Sequence, residues 1–217
     1  EEAKLLKETL RDFKRIGFHL PPKTQDKIKS LKKELSELTT KIDENIKAAG
    51  STKISFSPEE VKGIKSEDLA ALDRDGDNYI ANDGVTYQVY TILENAPIEA
   101  VRKKAMVARN QRAMITNADL TAKVVNKRAE LAGLLGYASW ADYKTDIKMT
   151  KTGKIALDFV QDLIDGLEPK FSAEVNELRK LKVSETGDQN AKIESWDIRY
   201  YKKILEKKLY NLDMSAL

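Results

Sequence analysis

The sequence predicts a mostly α-helical protein: a multi-helix lobe with one long antiparallel helix hairpin and a small two-stranded element near residues 79–90. Apolar residues recur at steps of three and four through most of the chain, the period of a helix with one buried face. Gly and Pro breaks gather in one stretch, residues 50–96. Within it Tyr79-Ile80 and Val85-Thr86-Tyr87-Gln88-Val89-Tyr90 are rich in the β-branched and aromatic residues that favour strands.

The elements follow in order. Residues 1–16 place Leu6, Leu10, Phe13 and Ile16 on one face, Gly17 ends that helix, and Pro21-Pro22 forces an extended turn. A second helix from Lys23 or Thr24 to Ala49 carries a seam of Ile28, Leu31, Leu35, Leu38 and Ile42, interrupted by polar Asn45. It makes a rod of roughly 39 Å. The short turn between the two helices favours an antiparallel hairpin. A coiled-coil dimer is the alternative for the seam, but three heptads are few and a partner helix lies next door in sequence.

Pro97 suits a first helical position, with Ile98, Val101, Ala105, Ala108 and Arg112 on one face of the helix that follows. Asn117 is expected to cap the next helix, which carries Leu120, Val124, Leu131 and Leu135 to Gly136, and Ser139 to cap a short one over Trp140 and Tyr143. Residues 154–182 read as one long helix with Val160, Leu163/Ile164, Leu167, Phe171, Val175 and Leu178 inward and a kink at Pro169. A last helix is expected from about Ile193 to Tyr210. The organisation expected is a hairpin over 1–49, an irregular segment over 50–96 and a helical region over 97–217, all in one lobe.

With 41% hydrophobic and 34% charged residues the chain has a globular balance. The 38 Lys+Arg are interspersed with 35 Asp+Glu, so no single-sign block recommends a nucleic acid or a membrane as partner. No apolar run approaches the ~20 residues that span a bilayer. The start, Glu1-Glu2-Ala3-Lys4, opens directly in a helical pattern, and Ala216-Leu217 follows no helix-stop signal. Both ends are therefore expected to be cuts in a longer chain, leaving Leu5, Leu6, Leu212, Met214 and Leu217 without their usual neighbours.

Few residues recommend themselves for chemistry. Asp73, Asp75 and Asp77 alternate like the start of a calcium loop, whose oxygens at positions one, three and five converge on the ion. Position six is Asn78 where that loop needs Gly, and position twelve is Gly84 where it needs Glu, so a turn leading into a strand is the better reading. The paired carboxylates Glu59-Glu60 are of a kind common at helix starts. His19 is the single histidine and there is no cysteine, whereas a catalytic zinc takes three protein ligands. No catalytic, cofactor-binding or metal residue is assigned. Trp196, Asp197, Tyr200 and Tyr201 form a cluster that either lines a groove or anchors helix packing.

Three segments then carry a likeness. Arg15-Ile16-Gly17-Phe18-His19-Leu20-Pro21 leads into the seam helix. Leu131-Ala132-Gly133-Leu134-Leu135-Gly136-Tyr137-Ala138-Ser139-Trp140-Ala141-Asp142-Tyr143 is followed by Lys148-Met149-Thr150-Lys151-Thr152. Trp196-Asp197-Ile198-Arg199-Tyr200-Tyr201 fits a Trp-Asp-x-x-Tyr-Tyr pattern. In order and spacing they resemble the N-terminal and middle part of the thimet oligopeptidase/neurolysin family of zinc metallopeptidases, from about residue 5 onward.

The resemblance implies a two-lobed helical enzyme whose channel admits short peptides. This chain would be part of the non-catalytic lobe, with short peptides and the catalytic lobe as the parent's partners. The family's zinc is held by a His-Glu-x-x-His helix and a later Glu, which this sequence lacks. The zinc therefore belongs to the parent, and the chain is expected to be inactive alone. The absence of cysteine fits a reducing compartment, and the setting expected is cytoplasmic, with mitochondrial as the alternative. A stand-alone helical interaction module is the competing reading, and a His-Glu-x-x-His downstream in the coding sequence would decide against it.

Overall fold

A computed structural model describes residues 1–50 and 52–210, so the expectations for Leu212, Met214 and Leu217 lie outside the described residues. The described chain is mostly helical: α1 (Glu2–Arg15), α2 (Pro22–Ala49), α3 (Ser66–Leu69), α4 (Thr86–Asn95), α5 (Glu99–Asn110), α6 (Met114–Leu134), α7 (Trp140–Thr145), α8 (Gly153–Thr186) and α9 (Ile198–Tyr210). Three short strands, β1 (Lys53–Phe56), β2 (Asp73–Asp75) and β3 (Asn78–Asn82), make an antiparallel sheet in the order β1-β3-β2. The chain divides into two compact units, residues 1–45 with 115–165 and residues 46–114 with 166–217.

In the first unit the seam of α2 is half right. Ile28 and Leu31 are buried, but they close on Leu131 of α6, with Leu35, Leu134, Leu135 and Trp140 packed around them. Ion pairs of Lys27 with Glu130 and of Glu34 with Lys127 run along the same pair of helices in opposite sequence directions. The antiparallel partner of α2 is thus α6, not the adjacent α1. Asn45, the break in the seam, donates to Asn117 Oδ1 at 2.8 Å, and Asn117 donates to the Ile42 carbonyl. Asn117 therefore lies inside α6 and not at its cap, because an amide that finds a buried partner no longer needs the helix end.

The apolar face of α1 exists but stays open: Leu6, Leu10, Phe13 and Ile16 are exposed, and no residue of α1 is buried. Gly17 follows with a φ of 96°, where a Cβ would come within 2.9 Å of the Ile28 side chain, so glycine is required both for the backbone and for the approach. Ser139 caps α7 as expected, accepting from the Asp142 amide.

The second unit is built around the sheet. Ile54 and Phe56 alternate inward from β1, and Ile80 and Ala81 are buried on β3. Ser55 pairs with Ile80 and Arg74 with Tyr79, and the two-residue turn into β3 opens on Gly76 at a φ of 58°. The core continues into Val89, Ile92 and Leu93 of α4 and Val101 and Ala105 of α5.

Here the expected strand over Val85 to Tyr90 is corrected: Thr86–Asn95 is helix α4. Local β preference loses to tertiary packing, because Val89, Ile92 and Leu93 share a helical face that fills the core, and Gln88 Oε1 accepts the Asn82 amide from the strand end. The sheet's added strands are instead β1 and β2. Two helix starts also move: α5 begins at Glu99 rather than at Pro97, and α9 at Ile198 rather than near Ile193.

The long helix over 154–182 is present as α8 with Pro169 inside it, but its inward residues are not where the period places them. Leu178 is buried and packs on Tyr200 and Tyr201, whereas Val160, Leu163, Ile164, Leu167 and Phe171 are exposed. No described helix is long and apolar enough to cross a membrane.

Candidate functional site

The densest polar chemistry lies in the second unit, where α5, the last turns of α8 and the start of α9 meet. Arg102 on α5 is one step beyond Val101 and three before Ala105, so the helix carries it into the apolar face. It is 1% exposed. Its guanidinium donates to the carbonyls of Ala96 and Pro97 at 2.8 and 2.9 Å and to Asp197 Oδ1 at 2.6 Å. The Arg102 Nε is buried with no hydrogen-bond partner.

Asp197 precedes α9 directly and is fully buried. Its carbonyl accepts the Tyr201 amide, so its position at the helix start is fixed by the backbone as well as by its side chain. Oδ2 accepts from Lys182 Nζ at 2.6 Å and from the Glu194 amide at 3.1 Å. Lys182, 5% exposed and one turn after Leu178 on α8, also pairs with Glu99 at 2.9 Å. Trp196 Nε1 donates to the other Glu99 oxygen at 3.1 Å. Two cations thus converge on one buried carboxylate, Asp197, and one of them, Lys182, also reaches the half-exposed Glu99.

The tyrosines complete the cluster. Tyr200 and Tyr201 donate their hydroxyls to the two oxygens of Glu185, at 2.8 and 2.6 Å, and the Arg102 guanidinium lies over the Tyr200 ring at 4.3 Å. Glu185 lies three residues beyond Lys182, so one turn of α8 presents a cation to Asp197 and a carboxylate to the phenols.

Titration follows this geometry. Burial alone would raise the Asp197 carboxyl, but the bonds from Lys182, Arg102 and the Glu194 amide outweigh it and hold the group below its ordinary range. The Lys182 hydrogen bond does the same for Glu99. Burial would lower Lys182, yet its two carboxylate partners leave it raised. Burial and then Glu185 push Tyr200 up to about 12, and they raise Tyr201 in the same direction.

The arrangement ties α5, α8 and the start of α9 together. Both Asp197 oxygens are engaged by cations at close range, and the tyrosines are held protonated as donors. Within the cluster of Trp196, Asp197, Tyr200 and Tyr201, Trp196 precedes α9 and donates to Glu99, while Tyr200 and Tyr201 are on the helix.

Other sequence candidates do not converge. Asp73 and Asp75 are exposed on β2, Asp77 follows in the turn, and Asp73 accepts from Asn82. Glu60 accepts the Ser57 amide and pairs with Lys104. His19 is exposed in the turn after α1. Among the described residues, no group of three or more His, Cys, Asp or Glu could hold a metal ion. In the first unit, Arg15 is a residue that the family segment contained without revealing its role: it donates to Tyr137, Asp146 and the Tyr143 carbonyl beside a groove of about 300 Å³. Sequence reasoning also missed Arg102 and Lys182. The signal available for both was a charged residue in step with an apolar face.

The profile of Peptidase family M3 matches residues 92–217, which include every member of the buried cluster. Similar proteins include a thimet-like oligopeptidase of Dictyostelium discoideum, 27% identical over 93% of this chain and 30% of that protein. Saccharolysin of Saccharomyces cerevisiae is 26% identical over all of this chain and 32% of its own length. Oligopeptidase A of Salmonella typhimurium is 28% identical over all of this chain and 34% of its own length. The chain spans about a third of the length of these relatives. The match across more than half the chain, together with three family segments in order, establishes that this protein belongs to peptidase family M3.

Proposed function

We propose that the chain forms part of the non-catalytic lobe and channel wall of a zinc-dependent oligopeptidase, and that it does not hydrolyse peptides by itself. The observation that carries this reading is a family M3 sequence with a single histidine, placed in an exposed turn, and no cysteine. A catalytic zinc takes three protein ligands, chiefly His and carboxylate, so the residues present do not fit that metal. The zinc and the water it activates belong to the catalytic lobe of the parent enzyme, this chain's partner.

Short peptides are the substrate class, in keeping with relatives named oligopeptidases. A wall of helices pinned by the Arg102–Asp197–Lys182 cluster is stiff enough to exclude folded proteins by size. The setting is cytoplasmic or mitochondrial; relatives include a mitochondrial intermediate peptidase of Debaryomyces hansenii.

The test is the coding sequence around this chain, followed by reconstitution. A His-Glu-x-x-His in the same reading frame is expected, and co-expression of that portion with this chain should give a complex that cleaves short peptides. An isolated reading frame, with no such motif and no complex, would contradict the proposal and leave a helical interaction module.

A further inference from the structure

The chain contains three Asp-Gly pairs, Asp75-Gly76, Asp83-Gly84 and Asp165-Gly166, and the fold holds each differently. Aspartate followed by glycine is a chemically labile pair, because no side chain shields the next backbone nitrogen from the aspartate's own carboxyl carbon. Whether that nitrogen attacks depends on the freedom of the peptide and on access to water.

At Asp83-Gly84 the peptide is pinned. Asp83 is 1% exposed, its amide donates to the Thr52 carbonyl at 3.0 Å, and its carbonyl accepts from Arg109 at 2.9 Å. Gly84 lies so close to the chain at Gly50 that an added Cβ would be 2.1 Å from the Gly50 carbonyl oxygen. Asp165-Gly166 is exposed but lies inside α8, where the helical ladder occupies the Gly166 amide. Gln161 also donates to the Asp165 carboxylate at 2.8 Å. Asp75-Gly76 has neither restraint. Both residues are exposed, Asp75 and Asn78 are the last pair of the β2–β3 ladder, and Gly76 follows outside it at a φ of 58°. A Cβ on Gly76 would touch nothing within 4 Å.

We propose that Asp75 is a site of spontaneous conversion to isoaspartate in the native protein, and that the fold protects Asp83 and Asp165 from it. The Gly76 amide nitrogen attacks the carbon of the protonated Asp75 carboxyl. The Cγ–N bond forms, and one carboxyl oxygen leaves as water, carrying the nitrogen's proton. A second water then opens the five-membered imide. Breaking the new Cγ–N bond restores aspartate. Breaking the original peptide bond instead leaves the chain running through Cβ and Cγ, with the former backbone carbonyl as a free carboxylate. One water leaves and one enters, so no oxidant or cofactor is needed and the mass is unchanged. The backbone gains a methylene at the mouth of the hairpin, which breaks the register of a strand only three residues long. Arg74, which lies over the Tyr79 ring at 3.9 Å, loses its seat with it.

Ageing of the whole chain at neutral pH and physiological temperature, beside a sample held in urea, tests this. Methylation by an isoaspartyl methyltransferase with labelled S-adenosylmethionine measures total isoaspartate, and peptide mass spectrometry with electron-transfer fragmentation locates it. In the native chain isoaspartate at 75 should exceed that at 83 and at 165 by on the order of tenfold or more, because the protected pairs react only when the fold opens. In urea the three should accumulate at similar rates. Asp75→Glu, which enlarges the ring by one atom and keeps the charge, should abolish the native signal with unchanged circular dichroism. No isoaspartate at 75 in the native chain would overturn the proposal. So would equal accumulation at the three sites before unfolding, a native signal that survives Asp75→Glu, or a preference for 75 that persists in urea.

Discussion

Arg102 Nη2 donates to Asp197 Oδ1 at 2.6 Å, joining residues ninety-five positions apart with both side chains shut away from water. Such a contact orders α5 against the start of α9, and Lys182 brings α8 to the same carboxylate. Removing Asp197 leaves the buried Arg102 without its carboxylate and Lys182 with Glu99 alone, which is costlier than never having built the pair. Asp197→Ala should therefore lower stability by about 3–5 kcal/mol. The double variant Arg102→Met/Asp197→Leu should lose less than the sum of its parts. Urea denaturation of the set checks this. Additive losses would mean that the two residues act independently.

The same cluster fixes a pH dependence. Asp197 and Glu99 have lowered folded pKa values, so their stabilisation is fully present above the unfolded values of about 3.9 and 4.3 and is lost as pH falls through the folded ones. Tyr200 is raised to about 12 and Lys182 is raised as well. Their contributions are full below the unfolded values of about 10 and 10.4 and disappear as pH rises through the folded ones. Stability should be flat near neutrality and fall at both ends. Asp197→Asn should flatten the acid limb and Tyr200→Phe the alkaline one, as read from melting temperature against pH. An acid limb unchanged in Asp197→Asn would contradict the assignment.

Position in the fold, not hydrophobicity, should decide the effect of substituting leucine and isoleucine. Leu6→Ser and Leu10→Ser lie on the open face of α1 and should change stability by less than ~0.5 kcal/mol. Ile92→Ala and Leu93→Ala empty the core around the sheet and should cost about 2–5 kcal/mol each. Comparable losses at both sites would mean that α1 packs in solution.

Calcium should leave stability unchanged. Asp73 and Asp75 belong to a strand whose residues pair with Ile80 and Asn78, so the hairpin sets their direction and no ion is needed to order the turn. Melting with a chelator and with added calcium should superimpose. A calcium-dependent rise that disappears in Asp75→Ala would show a site that this geometry does not form.

Much of the fold was legible because helices advertise themselves by period: Ile28 and Leu31 of α2, Ser139 before α7 and the extent of α8 all follow from spacing and capping. Partner choice was not. The seam of α2 looks the same whether it meets α1 or α6, and only the placement of Leu131 decides. Residues 85–90 look like a strand because valine and tyrosine favour strands locally, while the burial of Val89, Ile92 and Leu93 together needs a helix. The candidate site was visible only as Trp196, Asp197, Tyr200 and Tyr201. Arg102, Lys182, Glu99 and Glu185 come from remote segments, and nothing local marks an arginine as buried.

The most direct measurement of the central claim is peptide hydrolysis by the purified chain, with zinc stoichiometry determined on the same sample. No turnover of an internally quenched short peptide is expected, with or without added zinc, and far less than one tightly bound zinc per chain. Hydrolysis that tracks one zinc per chain, and that a chelator abolishes, would place a complete active site in these residues and contradict the account.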